Sequence, residues 1–177
     1  MKRKVCSLLL MAVLVCSLLT ACGGSGGSVS GPNGSYPTRS GNNEISTRFD
    51  QMYTDYYRTG SGDRVFTSSG WHWDYTYYYK LHINITIKNT GNTVAYIDDS
   101  NFMAYWDKDE LSRYSSIGSI KLSPGEQTSV DLVYNMSESQ YNSWNISGHN
   151  AILIIQYGDS ALAYVYSTES REVTVVR

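Results

Sequence analysis

The chain has 177 residues, of which 14 are Lys or Arg and 16 are Asp or Glu, and its net charge is −2 at pH 7. No basic cluster follows the first few residues. This excludes a nucleic-acid surface and electrostatic docking on anionic lipid, since both need clustered Lys and Arg. A chain of this length supplies one domain with its own hydrophobic core.

The first residues have the order of a bacterial secretion signal. Lys2, Arg3 and Lys4 form a basic start, and residues 5–19 form an apolar run interrupted only by cysteine and serine. This run is shorter than the roughly 20 residues of a transmembrane helix, but it suits the central region of a signal peptide. A conventional signal peptide that happens to end near a cysteine is the alternative to the interpretation that follows.

The segment Leu19-Thr20-Ala21-Cys22 resembles the lipobox of bacterial lipoproteins. In that family a diacylglycerol is attached to the cysteine before the signal is cleaved ahead of it. The resemblance therefore implies that residues 1–21 are a signal peptide and that Cys22 is the site of lipidation, on the extracytoplasmic face of a cell membrane or outer membrane. Cleavage would remove three basic residues and no acidic one, leaving a mature net charge of −5 with Cys22 as the only cysteine.

Residues 22–43 are nearly all Gly, Ser, Asn and Pro after the cysteine, which predicts a flexible tether. The folded domain is then predicted over residues 44–177. At its start, the apolar and aromatic residues of 44–58 are spaced as on one face of a helix, with Gly60 as its end. We predict a short N-terminal helix here, and a first β-strand is the alternative.

Residues 71–88 carry the longest pattern in the chain. Every odd position from Trp71 to Ile87 is apolar or aromatic and most even positions are polar, which predicts an extended segment with one buried face. At about 3.3 Å per residue the run would span roughly 50 Å, far more than an ordinary strand. We therefore expect a bend or break near Tyr79, where aromatic residues give way to branched aliphatic ones.

The remaining segments predict seven or eight short strands with turn residues between them, which is typical of an all-β sandwich. Ser123-Pro124-Gly125 predicts a type II turn, Ser137 a cap for a helix of one or two turns, and Gly158-Asp159-Ser160 the loop of a hairpin.

The order of four segments carries a second resemblance: LHINITIKNTGNT, SNFMAYWDKDE, IKLSPGEQTSVDLVYNM and AILIIQYGD. It is similar to the small immunoglobulin-like domain of many bacterial surface lipoproteins of unknown function. The resemblance covers residues 81–158 and implies an immunoglobulin-like antiparallel β-sandwich. The resemblance implies no catalytic or ligand-binding residue.

Aromatic residues supply the candidate binding site. Trp71, Trp73, Tyr75 and Tyr77 would form a flat amphipathic platform for sugar rings, peptides or a partner surface if they face solvent. Their regular spacing favours the opposite arrangement, in which residues 44–58 cover them as part of the core. Three tyrosines of that segment are available to do so: Tyr53, Tyr56 and Tyr57.

Catalytic residues are scarce. The chain has three histidines, His72, His82 and His149, and no glycine-flanked serine elbow or histidine pair at metal-ligand spacing. His72 and His82 fall on the polar face of residues 71–88, where we expect solvated side chains. Five carboxylates form two acidic turns whose spacing does not match an EF-hand loop, although they are an alternative calcium site: Asp98, Asp99, Asp107, Asp109 and Glu110.

These observations predict a membrane-anchored, non-enzymatic binding or interaction module. We expect no cofactor, no metal and no nucleic acid, and a partner that is an envelope protein or a glycan. A carbohydrate-binding module that uses the aromatic platform is the first alternative. An envelope hydrolase that depends on His72 or His82 is the second.

Overall fold

The computed structural model describes residues 29–32, 34–40, 43–58 and 63–177. The predicted signal peptide and Cys22 lie outside these residues. In chain order the strands are β1 (Val29–Ser30), β2 (Tyr36–Ser40), β3 (Asn43–Arg58), β4 (Asp63–Thr67), β5 (Gly70–Asp74), β6 (Tyr77–Asn89), β7 (Ala95–Ile97), β8 (Phe102–Trp106), β9 (Asp109–Leu111), β10 (Ile120–Leu122), β11 (Gln127–Met136), β12 (Asn150–Tyr157), β13 (Ser160–Ser167) and β14 (Val173–Val176). A 3-10 turn covers Asp99–Asn101, and one short helix, α1, covers Glu138–Ser143.

Two five-stranded antiparallel sheets build the sandwich, and two two-stranded ribbons, β7–β10 and β4–β5, accompany them. Sheet 1 has the order β1-β3-β6-β11, with β2 also paired to β3, and sheet 2 has the order β14-β13-β12-β8-β9. The inward faces of both sheets supply one continuous apolar core. The Tyr164 hydroxyl of sheet 2 crosses it to donate to the Thr47 carbonyl oxygen of sheet 1 at 2.8 Å. The predicted all-β antiparallel sandwich is confirmed.

Strand β3 corrects the prediction of an N-terminal helix, and the alternative of a first strand is right. Ile45 and Phe49 face the core, but the register of β3 against β6 shifts between Phe49 and Gln51. This β-bulge inserts one extra residue, so Met52 and Tyr56 take the inward side after it. The apolar and aromatic residues on this face, Ile45, Phe49, Met52 and Tyr56, are separated by four, three and four positions, which resembles a helical spacing and misled the prediction.

The long alternating run divides into β5 and β6, as its length requires. The break falls at Tyr75 and Thr76, a few residues before the predicted position near Tyr79. Strand β6 is the centre of sheet 1, paired with β3 on one side and β11 on the other. Its inward aliphatic residues are fully buried: Leu81, Ile83, Ile85 and Ile87.

Strands β1 and β2 lie within residues 22–43, which were predicted to be a tether. Both pair with the free edge of β3: Val29 lies opposite Met52, and Tyr36 lies opposite Thr47. Thr38 of β2 is buried. The ordered sheet therefore begins before residue 44, because short polar strands that gain hydrogen bonds from an existing edge need little apolar surface of their own.

The predicted turns are present. In the type II turn, Gly125 has φ +83° and the Glu126 N–H donates to the Ser123 carbonyl oxygen at 3.0 Å. Ser137 caps α1 through the Gln140 N–H. Gly158 turns the β12–β13 hairpin with φ +59°.

Strand β12 is apolar on both faces. Residues 151–155 are each at most 1% exposed. Ala151, Leu153 and Ile155 belong to the main core, whereas Ile152 and Ile154 join Ala163 and Val165 of β13 in a second apolar cluster. Because β12 pairs with β13 and with β8, neither of its edges is free.

None of the helices among the described residues is long and apolar enough to cross a membrane.

Candidate functional site

The hairpin of β4 and β5 is a separate two-stranded ribbon between the end of β3 and the start of β6. Its register sets Arg64 opposite Trp73 and Phe66 opposite Trp71. Residues that lie opposite each other in an antiparallel pair share a face, and successive residues of a strand alternate between faces. Arg64, Phe66, Trp71 and Trp73 therefore lie together on one face of the ribbon, which we call the aromatic hairpin face.

The aromatic hairpin face is exposed to solvent. Phe66 is 65% exposed, Trp71 61% and Trp73 59%. The Phe66 and Trp71 rings meet edge to face with centroids 5.2 Å apart, and the Arg64 guanidinium lies 5.1 Å from the centroid of the Trp71 ring. The arrangement is a large apolar surface with one cation at its side, which suits contact with an amphipathic or weakly anionic partner.

This exposure overturns the expectation that residues 44–58 cover the tryptophans. The end of β3 pairs with β6 and not with β5, so its tyrosines pack elsewhere. Tyr56 contacts Tyr77 and Tyr79 of β6 and Tyr141 of α1, with ring centroids 5.8 to 6.3 Å apart. These four rings form a cluster in which Tyr79 packs against the core while Tyr56 and Tyr77 stay exposed, and the aromatic hairpin face is left free.

Two of the four predicted platform residues are thus brought together, and two are not. Tyr75 lies in the break between β5 and β6, with the Arg58 guanidinium 4.4 Å from its ring centroid. Tyr77 opens β6 and is 43% exposed beside Tyr56. Sequence analysis missed Arg64 and Phe66. The signal was the turn Ser68-Ser69 before Gly70, because a tight hairpin there aligns residues 64–66 with 71–73.

A second aromatic cluster occupies the outer side of sheet 1 near the same end. Tyr57 stacks on Tyr78 with centroids 5.0 Å apart, and its hydroxyl lies 3.2 Å from the Tyr114 hydroxyl. The Lys80 ammonium lies 3.6 Å from the Tyr114 ring centroid and 4.3 Å from that of Tyr57. The hydrogen bond to Tyr114 raises the pKa of Tyr57 to about 12, whereas the same bond and Lys80 lower the pKa of Tyr114.

We expect Tyr114→Phe to lower the pKa of Tyr57 from about 12 toward the ordinary tyrosine value of 10.0. The bond to Tyr114 stabilises the protonated form of Tyr57, so removing its partner makes ionisation of Tyr57 easier. An alkaline titration of the ¹³Cζ shift in labelled tyrosine would follow the group. Tyr96→Phe, at an exposed site on β7, is the control. A Tyr57 pKa that stays near 12 in Tyr114→Phe would contradict the assignment.

His82 is not the solvated surface residue that its place on the polar face predicted. Its side chain is 13% exposed, and its ring stacks on Tyr53 with centroids 4.7 Å apart. Nδ1 lies 2.8 Å from an Asp131 carboxylate oxygen, and Nε2 lies 3.5 Å from one of Asp55. These contacts join β3, β6 and β11 across sheet 1. His72 is exposed on β5, opposite Val65.

Carboxylates of the acidic turns accept hydrogen bonds that stabilise the fold. Asp98 caps the 3-10 turn by accepting from the Ser100 N–H at 2.8 Å. Asp99 accepts from the Ser116 hydroxyl and from the Ile117 N–H, and lies 3.6 Å from the Arg113 guanidinium.

The second turn is separate from the first. Asp107 accepts from the Asn150 N–H at 2.8 Å and lies 2.8 Å from His149 Nδ1, while the His149 ring stacks on Trp106. Asp109 and Glu110 are exposed on β9. Within the described part of the chain, no group of three or more His, Cys, Asp or Glu side chains is placed to hold a metal ion.

Comparisons with known proteins concern the sandwich. No protein-family model matches the sequence, and no curated protein does. Among solved structures, the chain is similar to the ycdA protein of Bacillus subtilis subsp. subtilis str. 168, described as a candidate lipoprotein, at 13% identity and a TM-score of 0.44. That similarity covers 75% of this chain but only 38% of the ycdA chain.

Two further solved structures match over most of their length. One is a functionally unknown protein of Listeria monocytogenes EGD-e, at 11% identity and a TM-score of 0.48 over 88% of this chain and 91% of that one. The other is an uncharacterized β-sandwich protein of Clostridium difficile 630, at 13% identity and a TM-score of 0.41 over 83% and 98%. At such identities the likeness concerns the fold alone and assigns no activity.

Proposed function

We propose that this protein is a lipid-anchored extracytoplasmic lipoprotein and that its sandwich is a non-enzymatic binding module. The lipobox resemblance at Cys22 supports the anchor. The observation that carries the binding role is the aromatic hairpin face, where Phe66, Trp71 and Trp73 are each more than half exposed. A hairpin of this kind adds little to the core, so its aromatic surface is best explained by contact with another molecule.

The kinds of residue on this face support the proposal. Trp and Arg are enriched at binding interfaces because they bring a large apolar area together with a polar group that can donate a hydrogen bond. Trp71 and Arg64 already lie against each other, so the cation is held in place before a partner arrives. The imidazoles of His82 and His149 pair with the carboxylates of Asp131 and Asp107, contacts that join strands and turns of the sandwich.

The anchor is tested by labelling cells with radioactive palmitate. We expect the full chain to take up label and to stay in the membrane fraction after a high-pH wash, because acyl chains and not charge hold it there. Cys22→Ser should take up no label and leave the membrane fraction. A protein that carries no label, or a Cys22→Ser variant that keeps it, would contradict lipidation at this residue.

The contact surface is tested by quenching tryptophan emission with acrylamide. The chain has four tryptophans, and Trp106 and Trp144 are only 3% and 5% exposed. The quenchable fraction should therefore come from Trp71 and Trp73 and disappear in the Trp71→Phe/Trp73→Phe double variant. In isolated cell envelopes this fraction should become protected. Equal quenching in the purified protein and in envelopes would contradict a binding role for the face.

Carbohydrate binding is the second candidate. Trp71 and Trp73 lie on the same face of the ribbon two residues apart on a strand, about 7 Å in Cα spacing, and exposed indole rings can stack on sugar rings. Adding soluble peptidoglycan fragments or cellohexaose to the purified protein should then shift the emission of these two tryptophans to the blue, with no shift in the double variant. An unchanged spectrum at millimolar glycan would exclude this candidate.

A further inference from the structure

Strand β1 enters sheet 1 from the end at which β3 finishes. Val29 pairs with Met52 and Ser30 with Gln51, so β1 runs antiparallel to β3. Followed back toward Cys22, the chain therefore leaves the sheet in the direction in which β3 advances. That direction leads to Arg58, the end of β3, and to the hairpin of β4 and β5 that follows it.

The segment between Cys22 and Val29 is short. Seven residue steps separate Cys22 from Val29, and seven steps span at most about 25 Å when fully extended. From Met52, the partner of Val29, strand β3 advances six residues to Arg58, or about 20 Å. A lipid on Cys22 therefore keeps the bilayer surface within about 25 Å of Val29, a reach that includes the end of β3. The 22-residue tether expected from composition would have allowed a larger separation, but pairing of Val29 shortens it.

We propose that the aromatic hairpin face of Arg64, Phe66, Trp71 and Trp73 rests in the interface of the bilayer that holds the lipid of Cys22. This inference rests on the proposed lipidation. It deepens the proposed binding role by naming the partner as phospholipid, with the lipidated cysteine and the hairpin as two attachments of one domain to one membrane. Two such attachments bind more firmly than either alone, because the first holds the second at high local concentration.

The chemistry of the face fits this occupant. Indole rings favour the boundary between headgroups and acyl chains, since one part of the ring is apolar and its N–H can donate to a polar group. Arg64 lies beside Trp71, where its guanidinium can reach a lipid phosphate while its stem stays on the apolar surface. Residues 58–80 carry three basic and two acidic side chains, whereas the mature chain has a net charge of −5. The hairpin segment itself therefore carries none of the acidic excess.

The test uses the full lipidated protein in vesicles of phosphatidylcholine that carries bromine on its acyl chains. Bromine quenches only indoles that reach the hydrocarbon boundary. We expect strong quenching of the emission that Trp71→Phe/Trp73→Phe removes, while buried Trp106 and Trp144 stay unquenched. The result should change little when phosphatidylglycerol replaces a third of the lipid, because the contact is mainly apolar. Quenching by acrylamide but not by bromine would overturn the inference.

Two variants separate this inference from the proposed lipidation. Phe66→Ser/Trp73→Ser leaves Cys22 in place and should lower the bromine quenching of Trp71 while the protein stays in the vesicle fraction. The matched control is Tyr96→Ser, which removes an aromatic residue that is 63% exposed on β7, beyond the other end of β6, and should leave the quenching unchanged. A protein that never enters the vesicle fraction would contradict lipidation. A retained protein whose Trp71 and Trp73 respond to glycan and not to bromine would contradict membrane contact alone.

Discussion

Replacing Trp144 with Ala is expected to lower the free energy of unfolding by about 3–5 kcal/mol, the range for a truncated core tryptophan. Trp144 follows α1 and is 5% exposed. Its ring lies between Tyr166 and Trp106, with centroid distances of 4.8 and 6.1 Å. The substitution leaves a cavity at the point where α1 meets sheet 2. Urea denaturation followed by far-ultraviolet circular dichroism would measure the loss.

Ile146→Ala is the matched control for this prediction. Ile146 lies two residues further along and is 57% exposed, so its truncation should change the free energy of unfolding by less than about 0.5 kcal/mol. Trp144→Phe should fall between the two, since a smaller ring still fills part of the site. If Trp144→Ala were as mild as the control, Trp144 would not be the residue that fixes α1 to the core.

Asn89→Ala is expected to lower the free energy of unfolding by about 3 kcal/mol, because it leaves several buried backbone groups without a hydrogen-bond partner. Asn89 is fully buried at the end of β6. Its amide donates to the carbonyl oxygens of Thr93 and Leu122 at 2.7 and 2.9 Å, and its side-chain oxygen accepts from the Gly91 N–H at 2.9 Å. One side chain therefore joins the turn after β6 to β10. Chemical denaturation of the variant would measure the effect.

Asn84→Ala provides the comparison within the same strand. Asn84 lies opposite Asp131 on the outer side of sheet 1 and is partly exposed, so its loss should cost little. The amide network can also be followed directly by hydrogen exchange. We expect the Gly91 N–H to exchange faster in Asn89→Ala and at its original rate in Asn84→Ala. Equal stability of the two variants would show that water replaces the amide of Asn89.

Much of the fold could be predicted because two-residue periodicity is a direct consequence of strand geometry. Leu81, Ile83, Ile85 and Ile87 alternate without interruption and form the centre of sheet 1 as expected. The exception is β3, where a single extra residue after Phe49 exchanges the two faces and produces a helix-like spacing. A bulge depends on the partner strand, so the residues of β3 alone do not reveal it.

The candidate site was predictable only in part, for a related reason. Alternation indicates that Trp71 and Trp73 share a face, but it does not tell what covers that face. Whether other residues cover this face depends on which strands pair with each other. Strand β5 pairs with β4, whereas β3 pairs with β6. Phe66 joined the face only through that pairing. Asn89 shows the same limit. The residues around it indicate a turn, but its buried side chain also donates a hydrogen bond to a strand more than thirty residues away.

The second apolar face of β12 has a consequence for the chain before it folds. Residues 151–155 form a run of five apolar residues without charge or proline, which is the composition of a cross-β aggregation segment. In the native sheet this run cannot pair with another chain, because β13 and β8 occupy both of its edges. An unfolded chain presents it uncovered, and polarity gives it no preferred register, since both faces are apolar. Pairing of β12 with β13 across Gly158 covers one edge of this run and therefore opposes self-association of the folding chain.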